Sequence, residues 1–127
     1  NAKIQQSENS SNSSATEGNE YIAINDFQKI EIKIGLIKSC RKVDKSNKLL
    51  CSEVDLGETR LRSIVSGAAE FYTPEEMTGR QVLVVTNLKP VKLMGHLSEG
   101  MILFSDDNGK LALIEAPEQV NPGVIVR

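Results

Sequence analysis

From Ile30 onward apolar and polar residues alternate, with Ile30, Ile32, Ile34 and Leu36 separated by Glu31, Lys33 and Gly35. Successive side chains of an extended chain point to opposite faces, so this period of two predicts a half-buried β-strand. The phase slips at Leu36-Ile37, beside Gly35, which predicts a bulge that bends one strand to serve two parts of a small closed sheet. Asp44-Lys45-Ser46-Asn47 is turn chemistry, and a second strand follows with Leu50, Val54 and Leu56 on one face. Gly57-Glu58 is the next tight turn. The third strand is expected over about Arg60–Ser66, with Arg60 and Arg62 facing one way and Leu61 the other.

Thr73-Pro74-Glu75-Glu76 then supplies a helix start: a Thr N-cap, Pro at the first helical position and Glu three residues after the cap. Gly79 is expected to end this helix after one or two turns. Gln81-Val82-Leu83-Val84-Val85 is a continuous apolar run, as in a strand buried on both faces, and Lys89-Pro90 breaks it. Residues 91–100 are a connection bearing Gly and Lys. Met101-Ile102-Leu103-Phe104 predicts another strand, Asp107-Asn108-Gly109 a hairpin turn, Leu111-Ala112-Leu113-Ile114 its returning strand, and Val124-Ile125-Val126 closes the chain. The elements add up to an all-β protein: a five-stranded OB-fold barrel with one short helix between strands 3 and 4 and a C-terminal extension.

Residues 1–20 are mainly Ser, Asn, Glu, Gln and Thr, too polar to offset the entropy of ordering, and are expected to form a flexible linker with residues 21–127 as the folded domain. Asn25 or Asp26 is placed to cap a short helical turn through Phe27-Gln28-Lys29. The chain starts Asn1-Ala2, which suggests a piece of a longer protein with a cloning remnant at its start. Of 127 residues 39% are hydrophobic but only 4% aromatic, with no Trp, so Val, Ile and Leu must fill the interior. No apolar run approaches the roughly 20 residues that cross a bilayer. The expected setting is soluble and cytoplasmic, without a membrane partner.

Net charge is −2, from 15 basic and 17 acidic residues, which by itself argues against a phosphate-rich partner. The distribution changes that. Residues 1–20 hold Lys3 against Glu8, Glu17 and Glu20, leaving 14 basic and 14 acidic groups in the domain. Between Lys29 and Lys48 seven basic residues face two acidic ones, Glu31 and Asp44. That ribbon is either a solvated face or one side of an anion-binding surface. Cys40 and Cys51 have neither the number nor the spacing of a zinc site. A turn between Asp44 and Lys48 would set them roughly opposite on paired strands, where a disulfide is conceivable under oxidation and not expected in a reducing cytosol. His96 is the sole histidine, and with neither thiol beside a helix N-terminus no catalytic group is expected in this fragment.

Several segments, taken in order, carry a family resemblance: Asp26-Phe27-Gln28-Lys29, Ile32-Lys33-Ile34-Gly35, Lys48-Leu49-Leu50, Val54-Asp55-Leu56-Gly57, Ile64-Val65-Ser66-Gly67, Tyr72-Thr73-Pro74-Glu75-Glu76, Asn87-Leu88-Lys89-Pro90, Lys92-Leu93-Met94-Gly95 and Ser98-Glu99-Gly100-Met101. From about Asp26 to Arg127 the chain resembles the tRNA-binding domain family, OB-fold modules found at the C-termini of bacterial methionyl-tRNA synthetases, as small free-standing proteins and as eukaryotic synthetase cofactors. The Tyr72 segment and the ending Pro122-Gly123-Val124-Ile125-Val126-Arg127 look most like the synthetase-appended subgroup. Two positions depart from the family: Lys45-Ser46-Asn47 stands where His-Pro is common, and His96 where an apolar residue is usual.

The resemblance implies a non-catalytic module that raises a methionine–tRNA ligase's affinity for tRNA, with the catalytic body joined in cis and no cofactor or metal. It implies tRNA contacts by Lys33, Lys48, Lys89 and Lys92, hydrogen bonds from Asn87 and Ser98, and a soft apolar contact from Met101. It also implies a homodimer, with Val124, Ile125 and Val126 in the seam because no sequence partner is left to cover them. Plainer readings stand beside these. Lys89 next to Pro90 is also a solvated turn, Asn87 a strand end bonding its own backbone, and Met101 the start of a core strand. A free-standing, secretion-related chaperone of the same family is the alternative to the appended module.

Overall fold

The computed structural model describes residues 20–127, so the expected linker lies, apart from Glu20, outside the described residues. Along the chain run α1 (Ile24–Phe27), β1 (Ile32–Lys42), β2 (Leu50–Asp55), β3 (Arg62–Ser66), α2 (Pro74–Met77), β4 (Gln81–Val85), β5 (Val91–Leu93), β6 (His96–Ser98), β7 (Met101–Ile102), β8 (Phe104–Asp107), β9 (Lys110–Leu113) and β10 (Ile125–Val126). The main sheet has the antiparallel order β3-β2-β1-β4-β7. Its two edges meet where Ser63 O accepts from Glu99 N at 2.7 Å and Ser98 Oγ accepts from Val65 N at 2.9 Å. The result is a nearly closed, five-strand, OB-like barrel, as expected.

β1 organises the barrel. One edge pairs with β4 over Ile32 to Leu36, and the other with β2 from Leu36 to Lys42. β10 occupies the stretch of that second edge which β2 leaves free, opposite Ile32 and Lys33. The alternation identified the strand but the main core lies against the other set of residues, Gly35 and Ile37. Gly35 sits opposite the fully buried Val82, and a Cβ there would stand 2.6 Å from Val54 Cγ1, so only glycine lets β2 and β4 side chains meet across it. The bulge is real and lies farther on: Ile37 pairs with Val54 and Ser39 with Glu53, leaving Lys38 as the extra residue. Ile37, Leu50, Val54, Leu56, Ile64, Met77, Val82 and Val84 form the dry centre, each 0–1% exposed.

Local signals were met to differing degrees. At α2 the Thr73 hydroxyl accepts from Glu76 N at 3.1 Å while the Glu76 carboxylate accepts from Thr73 N at 2.8 Å, the reciprocal capping box that the sequence predicts. α1 differs: its N-cap is Ala23, and Asp26 lies inside the helix, 3.3 Å from the Lys29 ammonium. The strand expected from Met101 to Phe104 is split, because Met101 and Ile102 pair with β4 while Phe104 pairs with β9. Cys40 stands opposite Ser52 and Cys51 opposite Arg41, so the thiols sit one register apart on opposite faces and are free. Burial pushes the Cys40 thiol up, away from the thiolate that nucleophilic chemistry needs. The C-terminal residues, expected to lack a partner, find one for their backbone in β1. They reach it by passing over the β2–β3 turn, where a Cβ on Gly123, at φ +93, would come within 2.8 Å of Leu56 O.

Candidate nucleic-acid interface

The β5–β6 hairpin is an arm on the barrel rather than part of its wall. Its register pairs Val91 with Ser98, Lys92 with Leu97 and Leu93 with His96, so Lys92 and Leu97 share one face and Val91, Leu93, His96 and Ser98 the other. The inner face is pinned at Ser98, which is 7% exposed; its hydroxyl accepts from Val65 N and donates to Gly100 O at 3.2 Å. The turn is Met94-Gly95, both with positive φ. From Asn87 to Ser98 there are two lysines and no carboxylate. Leu88, Val91, Leu93, Met94 and Leu97 all stay exposed.

The root of the arm is tied by several bonds. Asn87 Oδ1 accepts from Glu31 N at 2.8 Å, and its amide nitrogen donates to Lys29 O at 2.6 Å. Arg62 donates to two carbonyls, Thr86 O at 2.6 Å and Glu99 O at 3.1 Å, and its other donors grip both oxygens of Glu58 at 2.9 and 2.8 Å. Arg60 binds both oxygens of Glu99, and Ser63 N adds a third donor to that carboxylate at 3.1 Å. The Arg62 fork on Glu58 and the Arg60 fork on Glu99 hold both carboxyl groups below the usual carboxylate range. A cleft of about 460 Å³ lined by Glu58, Arg60, Arg62, Leu88, Pro90 and Glu99 lies at this mouth.

At the other end of β2 and β3 lies the β1–β2 loop with Lys45 and Lys48. Ser46 Oγ accepts from Lys48 N at 3.2 Å and Leu49 N at 3.1 Å, which shapes the loop, and Lys48 O accepts from Ala69 N at 3.0 Å. A second small core of Val43, Cys51 and Val65 packs with Leu49 beneath it. Val65 also carries the bond to Ser98, so β3 links this small core to the arm's inner face, while the arm's root lies at the opposite end of the β2–β3 pair. Among the described residues no carboxylate pairs with Lys48, Lys89 or Lys92. No cluster of metal-binding side chains occurs among the described residues, and no helix there is long and apolar enough to cross a membrane.

Sequence comparison matches residues 32–124 to the family described as "Putative tRNA binding domain". The chain belongs to that family. It is 56% identical over 106 residues to a methionine–tRNA ligase of Helicobacter pylori (strain J99), a match that covers 84% of this chain and 16% of the ligase. This tRNA binding domain therefore spans about 16% of the length of such relatives. Among solved structures it is similar to a MetRS related protein from Pyrococcus horikoshii, with a TM-score of 0.82, 38% identity, and coverage of 85% of this chain and 99% of that one. The chaperone CsaA from Bacillus anthracis str. Ames shares the fold, at TM-score 0.76 and 21% identity over 85% of this domain and all of that chain.

The residues singled out in the sequence fall into three places in this family member. Lys48, Lys89 and Lys92 are exposed on the loop and the arm, with Asn87 and Ser98 at the arm's attachment and Met101 exposed just beyond it. Lys33 is elsewhere. It shares the core-side register with Gly35 and Val84 at the start of β1, its side chain 22% exposed and its ammonium 3.9 Å from Glu31. Val124 and Ile125 are exposed near a cleft of about 330 Å³ lined by Phe27, Ile30, Ile125, Val126 and Arg127. The sequence reading missed the Arg60, Arg62, Glu58 and Glu99 group. The alternation at Arg60 and Arg62 was visible, but Glu99 is 39 residues from Arg60 and no local pattern links them.

Proposed function

We propose that this domain binds tRNA through the β5–β6 arm and the β1–β2 loop, as a module of a longer methionine–tRNA ligase whose affinity for tRNA it raises. The observation that carries this reading is the arm itself: two solvated lysines without a carboxylate partner among the described residues, and no carboxylate from Asn87 to Ser98, on a projecting hairpin. Lysines of this kind neutralise phosphates and release counterions. With 4% aromatic content the surface offers charge and soft apolar contact, from Met94 and Met101, rather than base-by-base stacking. Asn87 and Ser98 serve by holding the arm, and catalysis belongs to the rest of the parent chain in the cytoplasm. A second contact in cis raises affinity through effective concentration.

The same reading includes a homodimer. Exposed Phe27, Ile30 and Ile125 line the cleft between α1 and β10, an apolar patch that an isologous contact would bury. Light scattering at micromolar concentration that returns a particle of 13.9 kDa overturns the dimer.

Filter binding of total tRNA at several salt concentrations tests the contact. Lys89→Ala with Lys92→Ala should lower the slope of log affinity against log salt by about 2. Unchanged affinity and slope would show that the arm is only a solvated surface. The exposed Leu93, Met94 and Leu97 favour a second reading, a free-standing chaperone-like protein. Suppression of aggregation of an unfolded protein, unaffected by excess tRNA, would select it.

A further inference from the structure

The geometry points to Arg62 as the positioning residue that presets the β5–β6 arm for tRNA. The arm leaves the barrel at Thr86 and returns at Glu99, and one Arg62 nitrogen donates to the carbonyl oxygens of both. A single side chain thus closes the base of a segment whose own ladder has three register pairs. A two-stranded hairpin that small is marginal alone in water, so its attitude is set at its root and at Ser98. Glu58 completes the device by gripping the other donors, which fixes the guanidinium plane and neutralises its charge. The side chain is only 20% exposed and four of its five N–H donors are committed within the chain, so it presents no free fork to a phosphate. Lysine could not replace it, having one nitrogen where four bonds must diverge from a plane.

An arm held in its binding attitude loses less freedom on meeting a ligand. Arg62 thereby contributes to affinity without touching RNA, an effect that rests on the proposed role of the arm in binding tRNA. The prediction separates positioning from contact because the two respond differently to salt.

The test combines amide hydrogen exchange with total-tRNA titrations at two or more salt concentrations on the full chain. Arg62→Met keeps the aliphatic stem and removes all four bonds. It should speed exchange at Leu93 and Ser98 while leaving the β1–β2 ladder unchanged, and weaken tRNA about tenfold, the effect of roughly 1.4 kcal/mol, with the salt slope unmoved. Arg62→Lys, which retains charge, should fall between parent and Arg62→Met in both readouts, and it carries the test if Arg62→Met does not fold. Faster arm exchange with parental affinity overturns the proposal. So does a slope lowered by about 1, which would make Arg62 a phosphate contact. Lys89→Ala with Lys92→Ala in the same titrations keeps the two ideas apart. Should these lysines matter while the Arg62 variants bind as the parent does, positioning alone fails; should neither matter, the arm is not the contact and both fail.

Discussion

The β5–β6 and β8–β9 hairpins turn through the same two left-handed residues: Met94-Gly95 at φ 51 and 83, Asn108-Gly109 at φ 53 and 86. Such a pair matches the right-handed twist of the flanking strands. In β8–β9 the turn is chemically at ease, since Asn tolerates this region and Asp106 Oδ1 accepts from Gly109 N at 2.7 Å. In β5–β6 an exposed methionine occupies the position that favours Asn or Gly. Attachment differs too. The β8–β9 hairpin packs Phe104, Leu111 and Leu113 on the barrel core, and Leu113 N donates to the Tyr72 hydroxyl at 3.0 Å. The β5–β6 arm leaves its apolar residues in water and is held mainly by charged and polar bonds at its root. One hairpin is built into the core; the other is presented to solvent. The contrast teaches that turn geometry is independent of what a hairpin does.

Charge reversal gives the largest expected effect. Lys89→Asp with Lys92→Asp should lower tRNA affinity more than a hundredfold, as charge-assisted bonds of about 1.5–3 kcal/mol each are lost and repulsion is added, while Lys110→Asp on the other hairpin should leave binding within about twofold. Comparable losses in a filter-binding titration would dissolve the distinction. Next in size, Leu113→Ala should destabilise the fold by about 3 kcal/mol, as truncation of a buried leucine does, and Leu93→Ala by less than about 1 kcal/mol. Urea unfolding of both variants checks this. If Leu93 proves the costlier, the arm packs more tightly than its exposure implies.

Exchanging the turn residues should act in opposite directions. Asn108→Met should destabilise the domain by about 1 kcal/mol, and Met94→Asn should raise stability by a similar amount while weakening tRNA if the Met94 side chain touches it. Thermal melts and the same titration read both. The smallest effect is expected from acid. Arg62 and Arg60 hold Glu58 and Glu99 below the ordinary carboxylate value, so these groups add stability above that value and lose it as pH falls through their lowered folded-state values. Protection of the arm's amides, corrected for intrinsic exchange, should therefore be lost as pH falls through those lowered values before the β8–β9 hairpin, which is packed on the apolar core, responds. Loosening of the two hairpins in step would argue that the root network is not what holds the arm.

What the sequence determined by itself is whatever a few adjacent residues decide. Thr73, Pro74 and Glu76 form their capping box, and Asn108-Gly109 its turn, because the groups that bond lie within four residues of one another. The alternation and strand order were enough for an all-β, OB-like barrel, and the ordered motifs for the family. Which face of β1 meets the core was not legible, because Gly35 faces it only by virtue of Val54, Leu56 and Val84 converging from two other strands. Tertiary structure also decided that the cysteines miss each other by one register and that β10 fills the free edge of β1. The candidate site divides in the same way. Lys48, Lys89 and Lys92 could be picked out as charges in a turn or loop, whereas the bonds from Arg62 to Thr86 and Glu99 span 24 and 37 residues and exist only once the barrel has closed, since a carbonyl oxygen leaves no mark in the sequence.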